Sequence, residues 1–187
     1  TGVEPAYLKK IEQKGLIAPV YQMPSLPKLA KLATTPLTLN LQQQQAVQKI
    51  SHACQQRHYE GFLLNGITGS GKTEVYLQVM QTVLAQGKQV LILVPEIGLT
   101  PQTRQRFAER FEAQVLMLHS GLNDTVRLDG WQQCRLGYAQ IIIGTRSSVL
   151  YPFANLGLII VDESHDQSYK QQDSLRYHAS DVALYRG

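Results

Sequence analysis

The sequence predicts an α/β fold: a doubly wound parallel sheet of about five or more strands, flanked by helices. Three observations predict it. Apolar runs at 90–94, 141–143 and 158–161 are continuous rather than alternating, as in strands buried on both faces. Stretches of helical period separate those runs, so strands and helices alternate along the chain. A glycine-rich turn at 66–73 stands between an apolar run and a helical stretch, where such sheets turn from strand to helix.

Taken in order, residues 4–14 read as a short helix with Leu8 and Ile11 on one face, stopped by Gly15. Residues 16–21 read as a short strand. Pro24, Pro27 and Pro36 then punctuate a linker, which sets a boundary near residue 38. Residues 1–38 are thus expected to be the end of a preceding domain plus linker, and 39–187 the main domain. Within it, a helix is expected over 42–57, with Ala46, Val47, Ile50 and Ala53 on one face, then a short strand at 61–64. The next helix, 73–86, repeats Val75, Tyr76, Val79, Val83 and Leu84 at helical spacing. A strand at 90–94 ends at Pro95; a helix at 100–111, a strand at 115–118 and a helix at 126–135 follow. Strands at 141–143 and 158–161 complete the series, and there is no internal repeat.

Composition limits the function classes. The 187 residues, 43% hydrophobic and 17% charged, suit one domain with an appendage and exclude disorder over most of the length. No run approaches 18 apolar residues, and no signal-peptide pattern follows Thr1. The abrupt ends at Thr1 and Gly187 lead us to expect a piece of a longer protein. Cys54 and Cys134 make neither a zinc spacing nor a disulfide framework, which fits a reducing compartment. Most of the net charge of +4 falls in residues 1–38. The main domain is nearly neutral, so any polyanion site must come from local geometry. The 22 glutamines are a bias without a prion-like tract, because the run at 42–45 lies inside a helical pattern.

The motif carrying the most chemistry is Gly66-Ile67-Thr68-Gly69-Ser70-Gly71-Lys72-Thr73, which fits G-x-x-x-x-G-K-[ST]. Small residues let backbone N–H groups turn inward on a phosphate, and the following helix adds its positive end. Lys72 would reach the β- and γ-phosphates of ATP, and the Thr73 hydroxyl would bind Mg²⁺. Downstream, Asp162 and Glu163 close an apolar strand, at the sheet edge where open parallel sheets bind ligands. Asp162 would hold Mg²⁺, and Glu163 would orient and deprotonate the attacking water. Gln43 has the donor and acceptor needed to pair with an adenine edge; the competing reading is a solvated residue in a glutamine-rich helix. His165 has no second His or Cys at ligand spacing, so zinc is disfavoured there. In 165–178, Tyr169 and Tyr177 stand beside Lys170 and Arg176, aromatics and cations of the kind that stack on and pair with single-stranded nucleic acid.

These residues resemble a known family, the first RecA-like lobe of the bacterial replication-restart DNA helicases (PriA, or primosomal protein N′) of superfamily 2. The resemblance runs through 66–76 (GITGSGKTEVY), 94–103 (VPEIGLTPQT), 119–124 (HSGLND), 144–148 (GTRSS), 152–156 and 161–186, covering most of 39–187. It implies a RecA-like P-loop NTPase lobe that couples hydrolysis of Mg-ATP to DNA unwinding at stalled forks, with 3′–5′ polarity. It implies that Gln43 reads adenine and that Gly66 to Thr73, Asp162 and Glu163 hold and hydrolyse the nucleotide. His165 would link nucleotide state to DNA. Residues 95–101 and 144–147, with Thr145 and Arg146, would hold the single strand, and 166–178 would couple DNA binding to hydrolysis.

The resemblance also implies single-stranded and forked DNA, single-strand-binding protein and other primosome proteins as partners, and a cytoplasmic, nucleoid-associated setting. Residues 1–38 would include the tail of a winged-helix domain. Zinc is expected only in a region outside this chain, as are the second lobe and its arginine finger. The chain by itself is therefore expected to bind ATP with little turnover. Three positions depart from the family pattern: Ser164 for Glu, Leu175 for an aromatic and Ser180 for Arg. Two other readings compete. A small-molecule kinase would need an Arg-rich lid, which is missing, and a non-catalytic scaffold would tolerate damage to Lys72, Thr73, Asp162 or Glu163, all of which are present.

Overall fold

The computed structural model describes residues 5–15, 31–56, 58–173 and 175–187. Its helices are α1 (Pro5–Gln13), α2 (Leu41–Gln55), α3 (Lys72–Ala85), α4 (Pro101–Arg110), α5 (Asp124–Leu136) and α6 (Ala179–Arg186). Its strands are β1 (Lys31–Leu32), β2 (Gln89–Leu93), β3 (Phe111–Glu112), β4 (Val115–Leu118), β5 (Ile141–Gly144), β6 (Leu156–Val161), β7 (Lys170–Gln171) and β8 (Tyr177–His178). The strand expected at 16–21 lies outside the described residues.

Four strands form the central sheet in the order β4-β5-β2-β6, each neighbouring pair parallel. The continuous apolar runs are explained by two covers. On one face Val90, Ile92, Ile141 and Ile143 pack with Leu77, Met80, Val83 and Leu84 of α3 and Phe107 of α4. On the other, Leu91, Leu93 and Ile142 pack with Cys134, Val149, Tyr169 and Ala183. Successive strand residues point to opposite faces, so only a doubly covered strand is apolar throughout. Gln89 is the polar exception in β2; its amide donates to the carbonyls of Cys134 (3.1 Å) and Ala139 (2.7 Å) and accepts from the Asn155 N–H (3.0 Å).

The strand expected at 61–64 does not form, so the sheet has four strands among the described residues. Residues 58–66 pair with no strand, and Leu63 is 87% exposed. Three apolar residues become a strand only when a neighbour completes their hydrogen bonds, and β6 pairs with β2 alone. Not foreseen were the short antiparallel pair β1–β3, the antiparallel β7–β8 hairpin inside 165–178, and α6, whose N-cap is the His178 ring, accepting from the Ser180 N–H.

Residues 31–37 dock on the α3/α4 face. β1 pairs antiparallel with β3, and the Ala33 N–H donates to the Arg110 carbonyl. A buried ion pair, Arg110 to Glu74 at 2.7 Å, anchors the segment. Glu74 also accepts from the Leu37 N–H and the Gln78 amide, while Arg110 donates to the Thr35 carbonyl. No helix of the described residues is long and apolar enough to cross a membrane.

Candidate nucleotide site

The parallel register places the carboxyl ends of β2, β5 and β6 side by side, Leu93 opposite both Gly144 and Val161. The predicted phosphate loop meets this edge. Gly69 and Gly71 both have φ +80°, a left-handed backbone that side chains resist, and a Cβ on Gly71 would lie 2.4 Å from the Gln43 amide nitrogen. Gly71 caps α3 with no side chain, whereas Asn40, Thr100 and Asn123 cap α2, α4 and α5. The first N–H groups of α3 therefore remain free for an anion. Lys72 Nζ donates back to the carbonyls of Gly66 and Ile67 within its own loop. Phosphate oxygens are stronger partners for an ammonium than these neutral carbonyls.

Gln43 is brought to the loop as well. Its amide nitrogen donates to the Ser70 carbonyl (2.9 Å), and its side-chain oxygen accepts from the Asn40 N–H (2.9 Å) in a capping box. Both ends of the side chain are thus engaged within the protein.

Opposite the loop, the Asp162 N–H donates to the Leu93 carbonyl, and Asp162 Oδ1 accepts from the Glu163 N–H (3.1 Å). Glu163 is exposed and has φ +47°, the one non-glycine residue in the left-handed region among those described. Tyr76, one turn into α3, joins the two sides: its hydroxyl lies 3.1 Å from Thr73 Oγ1 and 3.4 Å from Asp162 Oδ2. Burial, ahead of its neighbours' charges, pushes that hydroxyl up to about 12. A pocket of about 230 Å³ opens here, bounded by Thr73, Tyr76, Asp162, Glu163, Ile97 and Arg106.

The donor set fits Mg²⁺. One hydroxyl and one carboxylate face each other across Tyr76, and the described residues contain no His/Cys/Asp/Glu group able to cage a metal without a ligand's help. Mg²⁺ is commonly held in this way, by one or two protein oxygens together with substrate phosphates.

The segments expected to meet DNA are mixed. His165, Lys170 and Arg176 are exposed and Tyr177 is half-buried. Arg146 folds inward, donating to the carbonyls of Ser168 (3.0 Å) and Lys170 (2.9 Å), and so fastens residues 145–146 to the β7 segment. Two of these residues are buried. Tyr169 is fully buried and cannot stack on a base; its hydroxyl lies 2.6 Å from the Asp162 carbonyl oxygen and 2.9 Å from that of Leu93, and burial raises it well above the usual phenol range. Thr145 is 4% exposed, its N–H given to the Leu118 carbonyl, so it presents no surface to a strand. Sequence reasoning assigned Tyr76 to the core; its place three residues after Thr73, on the same helix face, was the available signal.

With this geometry in place, comparison with known proteins is specific. The DEAD/DEAH box helicase family matches residues 40–186, and the chain belongs to that family. Within it, the chain is similar to proteins named replication restart protein PriA. It is 56% identical to that of Haemophilus influenzae over 149 residues, 79% of this chain and 20% of that protein. It is 44% identical to that of Bacillus subtilis over 190 residues, 100% of this chain and 24% of that protein. Among solved structures it is similar to RecG bound to a three-way DNA junction, with TM-score 0.64, 28% identity and coverage of 74% of this chain and 20% of that one. The chain therefore spans about a quarter or less of the length of these relatives.

Proposed function

We propose that the chain is the nucleotide-binding lobe of an ATP-dependent DNA helicase that acts in replication restart at stalled forks. The observation that carries this is that Thr73, Asp162 and Glu163 line one pocket at the sheet edge, beside the loop that holds Lys72, in a chain of a helicase family. Lys72 would exchange its loop carbonyls for the β- and γ-phosphates, beside the N–H groups of Gly69, Gly71, Lys72 and Thr73; that of Ser70 is given to the Ile67 carbonyl. Thr73 Oγ1 and Asp162 would hold Mg²⁺, which when bound neutralises charge on the phosphates. Glu163 would take a proton from the attacking water. Gln43 would release the Ser70 carbonyl or the Asn40 N–H to read adenine.

Single-stranded and forked DNA would meet His165, Lys170, Arg176, Tyr177 and the loop around Arg146, with 3′–5′ travel. Residues 1–38 would close a preceding domain and 39–187 form the lobe. Single-strand-binding protein and primosome proteins are the proposed partners, in a bacterial nucleoid. Support comes from the names of the relatives and from RecG's junction complex. The test is ATPase of the intact protein with and without forked DNA. DNA-stimulated turnover that Lys72→Ala abolishes is the expected result; turnover indifferent to DNA would move the activity to small-molecule phosphotransfer.

A further inference from the structure

We propose that Tyr76 is a positioning residue for the cation side of this site: its hydroxyl ties Thr73 to Asp162 and sets how much Mg²⁺ strengthens nucleotide binding. The inference rests on reading Thr73 and Asp162 as the Mg²⁺ pair. Tyr76 is the side chain that reaches both, at 3.1 Å and 3.4 Å, from two elements far apart in sequence. Its ring is held by stacking on Phe107 of α4, centroids 6.5 Å apart and planes within 14°, so the hydroxyl's place is fixed by packing rather than by the groups it touches.

The chemistry gives the hydroxyl two tasks. A threonine that lends a lone pair to a cation must turn its own proton away, and the Tyr76 oxygen is an acceptor at the right distance. The phenolic proton is then free for Asp162 Oδ2, while Oδ1 already accepts from the Glu163 N–H. Both protein oxygens are thus turned before the cation arrives, the usual work of groups standing behind metal ligands. Phe107 follows the 94–103 motif on α4, so the same ring also joins the cation pair to that segment.

Tyr76→Phe tests this, because it keeps the ring and removes only the hydroxyl. In the intact protein, binding of a fluorescent ATP analogue is titrated with excess MgCl₂ and again with EDTA. Native protein should bind more tightly with Mg²⁺. The variant should match it in EDTA and lose about tenfold of the Mg²⁺-dependent gain, the half-saturating MgCl₂ rising by a similar factor. An unchanged gain overturns the proposal. So does an equal loss in EDTA, with thermal unfolding as in the native protein, because the hydroxyl would then serve the loop or nucleotide. Native protein that binds no analogue in either buffer overturns the site reading itself, and this inference with it.

Discussion

Replacing Glu74 by leucine should be among the most damaging single changes outside the nucleotide site. The carboxylate accepts from Arg110 Nη2 (2.7 Å), the Gln78 amide (2.8 Å) and the Leu37 N–H (3.1 Å), with side-chain exposures of 11% for Glu74 and 7% for Arg110. Leucine fills a similar volume but leaves a guanidinium buried with one carbonyl, that of Thr35, as partner. Removing one partner of a buried pair costs about 3–5 kcal/mol; Leu37 and Gln78 can turn to water, which puts this case near about 3 kcal/mol. With a urea slope of about 2 kcal/mol/M, the unfolding midpoint falls by about 1.5 M. The double variant Glu74→Leu/Arg110→Met removes the stranded charge and should cost less than Glu74→Leu alone. Urea denaturation followed by circular dichroism reads all of these. A single-variant loss under about 1 kcal/mol, or a double-variant loss equal to the two singles added, would refute the account.

Gln89→Leu should cost about 1–3 kcal/mol by thermal or urea unfolding, because the Cys134 and Ala139 carbonyls and the Asn155 N–H lose their shared partner. Maleimide labelling at mildly alkaline pH should modify Cys54 slowly and leave Cys134 intact in the native protein. Burial pushes the Cys134 thiol up to about 12, far above the assay pH, so almost no thiolate is present; denaturant should expose both.

Strands β2, β4, β5 and β6 were legible in the sequence because packing on both faces writes itself as an uninterrupted apolar run. Helices α2 to α5 were legible from their period alone; the Asn40, Thr100 and Asn123 caps that start three of them went unused, which cost a residue or two at the α2 and α5 boundaries. The misreading at 61–64 has the opposite cause. Whether three apolar residues form a strand is decided by a neighbour elsewhere in the chain, and a local pattern carries no record of it. α6 was overlooked because its cap is a histidine ring rather than a usual capping side chain. At the candidate site, the glycine-rich motif singled out Lys72 and Thr73, and a strand-end position Asp162 and Glu163. Local pattern could not give Tyr169, which looks like a surface aromatic among polar neighbours yet lies under the sheet edge, its hydroxyl on two strand-end carbonyls. Nor did it give the inward turn of Arg146, which depends on a hairpin of two-residue strands.

The left-handed backbone at Glu163 sets two demands against each other at one position. A side chain there costs about 1–2 kcal/mol that glycine avoids, so the turn taken alone is best served by having no side chain. The proposed proton transfer needs a carboxylate at that same point. A population of variants screened only for heat tolerance would drift toward glycine at 163 and lose turnover without losing shape. One screened for turnover would keep the strained residue and draw its stability from the packed sheet beneath.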